Sequence, residues 1–157
     1  MIEIKRILCP TDFSEAALSA LPYAVEIARL FKAQIFVIYV VPPLPSSSGG
    51  PGSFYTEPAM EYLDFLRTDA DKQLDQMLCE QIPKDVKASK LLADGDAAFE
   101  ILRAAESFQI DLITIATHGR TGWRHLVFGS VAEKVIRLSK VPVLTVRGKE
   151  ATDEGLE

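Results

Sequence analysis

Residues 35–41 read Ile-Phe-Val-Ile-Tyr-Val-Val, seven apolar positions with no polar interruption. A strand with one face in water alternates apolar and polar side chains, and this run has no polar face. It predicts a strand covered on both sides, as in a parallel sheet. Parallel neighbours cannot be joined by a hairpin, so helical crossovers are required on either side of it.

The flanking sequence supplies them. Upstream, Ile4 to Cys9 is a second short strand, stopped by Pro10. Leu18, Leu21, Val25 and Ala28 then share one stripe, predicting a helix over 14–31 with Ser14 as N-cap and Glu15 in its first turn. Pro22 lies inside that pattern and predicts a kink, or a Leu18 carbonyl without its helical donor. Downstream, PPLPSSSGGPGSFYTEP (residues 42–58) predicts a flexible loop over 42–56. Met60, Leu63, Leu66, Ala70, Leu74 and Met77 mark an amphipathic helix over 57–81, its charges a solvated face. Strands are expected at 86–92, 110–116 and 141–146. Helices lie between them, one following the Asp94-Gly95-Asp96 turn and the other running over 130–139. The order βαβαβαβαβ implies a single α/β domain over residues 1–147, a five-stranded parallel sheet with helices on both faces, followed by a polar tail at 148–157. Ligands of such sheets gather at the carboxyl ends of strands where the winding reverses. The breaks after the first and fourth strands, PTDFS and ATHGRTG, are therefore the candidate site.

Composition limits the partners. The chain has 157 residues, 48% of them hydrophobic and 25% charged, with net charge −5. These are values of a globular domain without a general basic footprint for nucleic acid or an acidic membrane. The opening MIEIKRILCPTD is broken by proline before a secretory apolar region develops, and no segment reaches the ~18 apolar residues of a spanning helix. Cys9 and Cys79 form neither a CxxC pair nor a disulfide framework, so a reduced, cytoplasmic protein is expected with both as packing residues. His118 and His125 lack partners at metal-ligand spacing. Trp123 suits a ligand, a partner or a lid on the core.

There is no GxxxxGK[ST] loop and no GxGxxG, and SSSGGPGS at 46–53 lacks the Asp of an SGGxDS pyrophosphatase-type loop. The stretch ATHGRTGWRHLVFGSVAEKV (116–135) is more informative. Gly119 permits a close backbone approach. Gly129 and Ser130 open a helix whose first amides have no internal acceptors, a natural phosphate site, with Arg120 and Arg124 adding charge. Taken alone, the same residues also suit a turn and a simple cap.

The stretch resembles the nucleotide-binding signature of the universal stress protein (UspA-type) family, G-x-x-G, nine residues, then G-[S/T]. Gly119, Gly129 and Ser130 fall in register, and Ala116 stands at the first glycine. RILCPTDFSEAA is similar to the family's first strand and turn. ADGDAA resembles a further family turn, with Ala97 where proline is usual. The resemblance covers about residues 3–147. It implies a Rossmann-like fold of the adenine nucleotide alpha hydrolase type, strand order 3-2-1-4-5, in the ATP-binding subgroup. It also implies ATP, with or without Mg2+, as ligand, and a homodimer paired through the last strand, 141–146, covering its open edge. By the same resemblance Asp12, after Pro10 and Thr11, contacts the nucleoside and the Val40 backbone faces adenine. Ala116, Thr117, His118, Gly119, Arg120, Gly129, Ser130 and Val131 surround the phosphates and ribose. A nucleotide-dependent regulatory protein is the leading expectation. A slow ATPase or phosphotransferase using Asp12, His118 and Arg120, and a dimerisation module without nucleotide, are the alternatives.

Overall fold

In the computed structural model, residues 3–44, 57–117 and 129–147 are described. Most of the loop expected at 42–56, and all of 118–128 and the tail 148–157, lie outside them. The strands are β1 (Arg6–Pro10), β2 (Gln34–Val41), β3 (Ala88–Asp94), β4 (Leu112–Ala116) and β5 (Val143–Val146). The helices are α1 (Glu15–Leu18), α2 (Leu21–Phe31), α3 (Glu57–Gln81), α4 (Ala97–Ser107) and α5 (Ser130–Leu138). All strand pairs are parallel and the sheet order is β3-β2-β1-β4-β5, as expected.

The sheet is buried on both faces, which explains the uninterrupted apolar run. Ile35 and Val37 join Ile7, Cys9, Leu112 and Ala116 in a core layer under α2 and α3. Phe36 and Ile38 join Leu8, Ile113 and Ile115 in the opposite layer, against α4 and α5. Each large side chain removed from water in this way contributes about 1.5–3 kcal/mol. The crossovers from β1 to β3 thus cover one face, and those from β3 to β5 the other. Their change of side opens the sheet between the carboxyl ends of β1 and β4, paired at Ile7–Leu112 and Leu8–Ile113. At the other end, both the Lys5 and Arg6 amides donate to Asp111 Oδ2 (2.8 and 2.9 Å), tying the start of β1 to that of β4.

Several boundaries differ from the sequence expectation. The helix predicted over 14–31 is two helices, not one kinked helix. The chain turns tightly at Ser19 and Ala20, and Pro22 falls in the first turn of α2, where no amide is required of it. Val86 does not begin β3; its amide closes a turn onto the Pro83 carbonyl while its side chain plugs the core. Val141 and Pro142 precede β5 for a similar reason, since the Val141 amide donates to Ser139 Oγ and proline has no amide to offer. Cys9 is buried as expected, but Cys79 is exposed and packs no core.

Helix α3 is anchored by its second half. Ala70, Leu74 and Met77 are buried, whereas Met60, predicted on the packed stripe, is 56% exposed. Arg67 reaches Asp94 (2.8 Å), and Lys90 of β3 bridges Asp71 and Asp75 (2.8 and 2.7 Å), both from partly exposed positions. Such surface pairs add little to stability, so the fully buried Leu74 is the anchor. Leu74→Ala is expected to cost about 2–5 kcal/mol in denaturant unfolding, and Met60→Ala less than about 0.5 kcal/mol; equal losses would contradict the one-ended anchoring.

Candidate functional site

The turn after β1 is held by a relay of short bonds. Thr11 is buried and its amide continues the ladder onto the Ile38 carbonyl (2.9 Å). Thr11 Oγ1 accepts from the Phe13 amide (3.0 Å). The Ser14 amide and hydroxyl both donate to Asp12 Oδ1 (3.0 and 2.5 Å), and Ser14 Oγ in turn accepts from the Ala17 amide (3.1 Å), capping α1. One carboxylate oxygen of Asp12 is thereby oriented by the residue that starts the next helix. Phe13, between them, has φ +62° and stacks on Tyr39 of β2, with ring centroids 4.8 Å apart and 20° between planes.

The partner segment leaves β4. Ala116 pairs with Val146, and the Thr117 amide extends that ladder to the Val146 carbonyl (2.9 Å). The Thr117 carbonyl then accepts from the Gly129 amide (2.6 Å), which brings the start of α5 back onto the end of β4. Gly129 is the N-cap and has no side chain to cap with, while Glu133 closes the first turn onto its carbonyl (2.9 Å). The next amides, beginning at Ser130, have no acceptor within the helix, so they and the macrodipole favour an anion there. Ser130 is exposed and Val131 half-buried against the α4–α5 core layer. The Ala116 methyl is enclosed with Ile7, Cys9 and Val146 in the α2–α3 layer, at 6% exposure. Its bulk is thus accommodated by the core.

Of the sequence-predicted residues, Pro10, Thr11 and Asp12 lie at the end of β1, Ala116 and Thr117 at the end of the adjacent β4, and Gly129, Ser130 and Val131 at the start of α5, which the Gly129–Thr117 bond joins to β4. Val40 lies on the neighbouring β2, partly buried and in register with Ala93 of β3. His118, Gly119 and Arg120, with Trp123, Arg124 and His125, lie outside the described residues. Sequence reasoning missed Phe13 and Tyr39, for no local signal announces a positive-φ aromatic. Ser14 was expected only as a cap; the Asp-x-Ser spacing was the available sign of its second bond, to Asp12.

Next to this mouth, the Val41 carbonyl accepts from the Gly95 amide (3.0 Å). Gly95 has φ +134°, a conformation that favours glycine. Glu100 is buried and paired with Arg103 (2.5 Å). Asp96 caps α4 through the Phe99 amide (3.0 Å) and lies 3.7 Å from Lys134 of α5. That amide, ahead of the Lys134 charge, holds the Asp96 carboxyl below its ordinary value. Burial pushes the Cys9 thiol up to about 12, so it stays protonated and packs as an apolar group. Among the described residues, no three His, Cys, Asp or Glu side chains gather to hold a metal ion. A shallow hollow of about 70 Å³ between α4 and the α5–β5 turn, lined by Leu102, Leu138 and Val141, is far too small for a nucleotide.

A parallel five-stranded sheet wound on both faces about β1 and β4 defines the class of doubly wound α/β domains. A model of the Universal stress protein family matches residues 3–147, and the chain belongs to that family. It is 37% identical to Universal stress protein MJ0531 of Methanocaldococcus jannaschii over 143 residues, 91% of this chain and 82% of that one. The solved structure of MJ0577 from the same organism superposes with a TM-score of 0.76 at 27% identity, covering 96% of this chain and 100% of that one. A universal stress protein solved in complex with cAMP shares the fold, with a TM-score of 0.59 at 19% identity over 94% and 99% of the two chains. Among the described residues no helix is long and apolar enough to cross a membrane.

The Asp96 cap makes a pH test of this edge of the mouth. A lowered native pKa contributes stability above the ordinary carboxylate value, and the contribution is lost as pH falls through the lowered one. Wild type is expected to exceed Asp96→Asn in melting temperature at pH 7, with the gap closing below about pH 4. A gap independent of pH would show that the charge contributes nothing.

Proposed function

We propose that the protein binds ATP at the β1–β4 switch point and acts as a nucleotide-dependent regulator in the stress response. The carrying observation is the start of α5, folded back by the 2.6 Å Gly129–Thr117 bond onto the end of β4, the strand next to the one that the Asp12 turn follows. In this reading the amides from Ser130 onward, with the Ser130 hydroxyl, receive phosphate oxygens. Asp12 accepts from ribose hydroxyls, and the backbone at Val40 meets the adenine edge. Gly119, with His118 and Arg120, completes the phosphate loop, as the glycine signature implies. Any Mg2+ would be held chiefly by the nucleotide's own phosphates and water. The cAMP complex of a protein with this fold supports an adenine nucleotide as the ligand class.

Regulation, rather than turnover, is the better reading of a site in which, among the described residues, the groups offered to phosphate are the α5 amides and the Ser130 hydroxyl. β5 lies at the edge of the sheet, and pairing of residues 141–146 with a second copy would cover that edge. A cytoplasmic homodimer is the proposed working form.

Gly129 has φ −69° and ψ 155°, extended backbone that any residue adopts, so Gly129→Trp, meant to fill the phosphate position, asks for no forbidden dihedral. Titration calorimetry is expected to give a Kd for ATP well below 1 mM for wild type and at least about tenfold weaker binding for the variant. Absence of wild-type binding at millimolar ATP would sink the proposal.

A further inference from the structure

Phe13 occupies a backbone region that L side chains avoid, and for an aromatic residue φ +62° is a genuine outlier. Such a conformation persists only where its surroundings over-determine it. Here the restraints are the hydrogen bond that the Phe13 amide donates to Thr11 Oγ1 (3.0 Å) and the ring stacked on Tyr39 at 4.8 Å. Both rings are half-buried against the α2–α3 core layer. The consequence falls on the neighbours. Ser14 reaches back to Asp12 Oδ1 with both amide and hydroxyl because the chain reverses at Phe13. Were Phe13 to relax to negative φ, the Ser14 amide would shift against Asp12 Oδ1, and the carboxylate would lose that part of its orientation. Tyr39 directly precedes Val40, so the same ring pair ties the Asp12 turn to the end of β2.

We propose that Phe13 is a positioning residue: clamped on Tyr39, its ring holds the turn that aims Asp12 at the sugar of a bound nucleotide. This rests on the nucleotide reading above. The stack sets the spacing between the segment that meets the ribose and the one that meets the base. It thereby makes recognition of the sugar hydroxyls depend on an aromatic contact on the core side of the turn.

The test compares Kd for ATP and for 2′,3′-dideoxy-ATP in wild type, Phe13→Ala, Phe13→Gly, Phe13→Tyr and Tyr39→Leu. A hydrogen bond to a charged carboxylate predicts that wild type prefers ATP by about tenfold or more. Alanine removes the ring and keeps the steric objection to positive φ, so its preference should fall to near one. Glycine removes both and should recover much of the preference, and tyrosine nearly all of it. A ring that merely covered the core would instead make glycine no better than alanine, or weaken both ligands equally in every variant; either result overturns the proposal. Tyr39→Leu leaves the turn's own sequence intact and should lose the preference too, which keeps the test decisive if Phe13→Ala fails to fold. Wild type that binds ATP without preferring it overturns this inference alone, whereas wild type that binds no ATP overturns the nucleotide reading and this with it.

Discussion

The structure depends on β1 being buried from every direction. Ile7, Leu8 and Cys9 are at most 1% exposed, with β2 and β4 on either side and helices above and below. A central parallel strand cannot be reached by hairpins, so each neighbour must arrive by a crossover. Two crossovers cover one face and two the other, and the change of side falls at β1. The mouth between β1 and β4 follows from that geometry, whatever residues line it.

What lines it is set by how each chain segment leaves the sheet. After β1, side-chain bonds from Thr11, Asp12 and Ser14 replace the ladder bonds that the strand no longer makes, and they carry the backbone through a strained residue into α1. After β4, one further ladder bond from Thr117 and the Gly129 return bond accomplish the same on the facing side. Both turns satisfy polar backbone near the core, and both leave groups at the rim: an aimed carboxylate and a set of helix amides. In the proposed nucleotide reading, the acceptor meets the sugar hydroxyls and the donors meet the anion.

Much of this was legible beforehand. The run at 35–41 required two covered faces, the alternation of strands and helical stripes required parallel order, and the breaks PTDFS and ATHGRTG after the first and fourth strands pointed to the switch point. Strand edges were less legible. Val86 and Val141 are as apolar as strand residues, and only the hydrogen bonds of their amides exclude them from the ladder. Met60 has the spacing of a packed residue, but helix periodicity says nothing about how far the sheet extends beneath a helix of 25 residues. Of the candidate site, Asp12, Gly129 and Ser130 were visible from motif and register, while Phe13 and Tyr39 were not.

The division has a physical basis. Hydrophobic pattern, proline and glycine placement and cap residues act within a few positions of each other, so the sequence by itself determined the element order, the doubly covered sheet and the end of it at which the candidate site lies. The stacking of Phe13 on Tyr39, the enclosure of the Ala116 methyl and the closure of Gly129 onto Thr117 join groups brought together by strand order and side-chain packing. Only the tertiary structure decided these, because the strain at φ +62° and the room for a methyl are set by neighbours that local sequence does not specify.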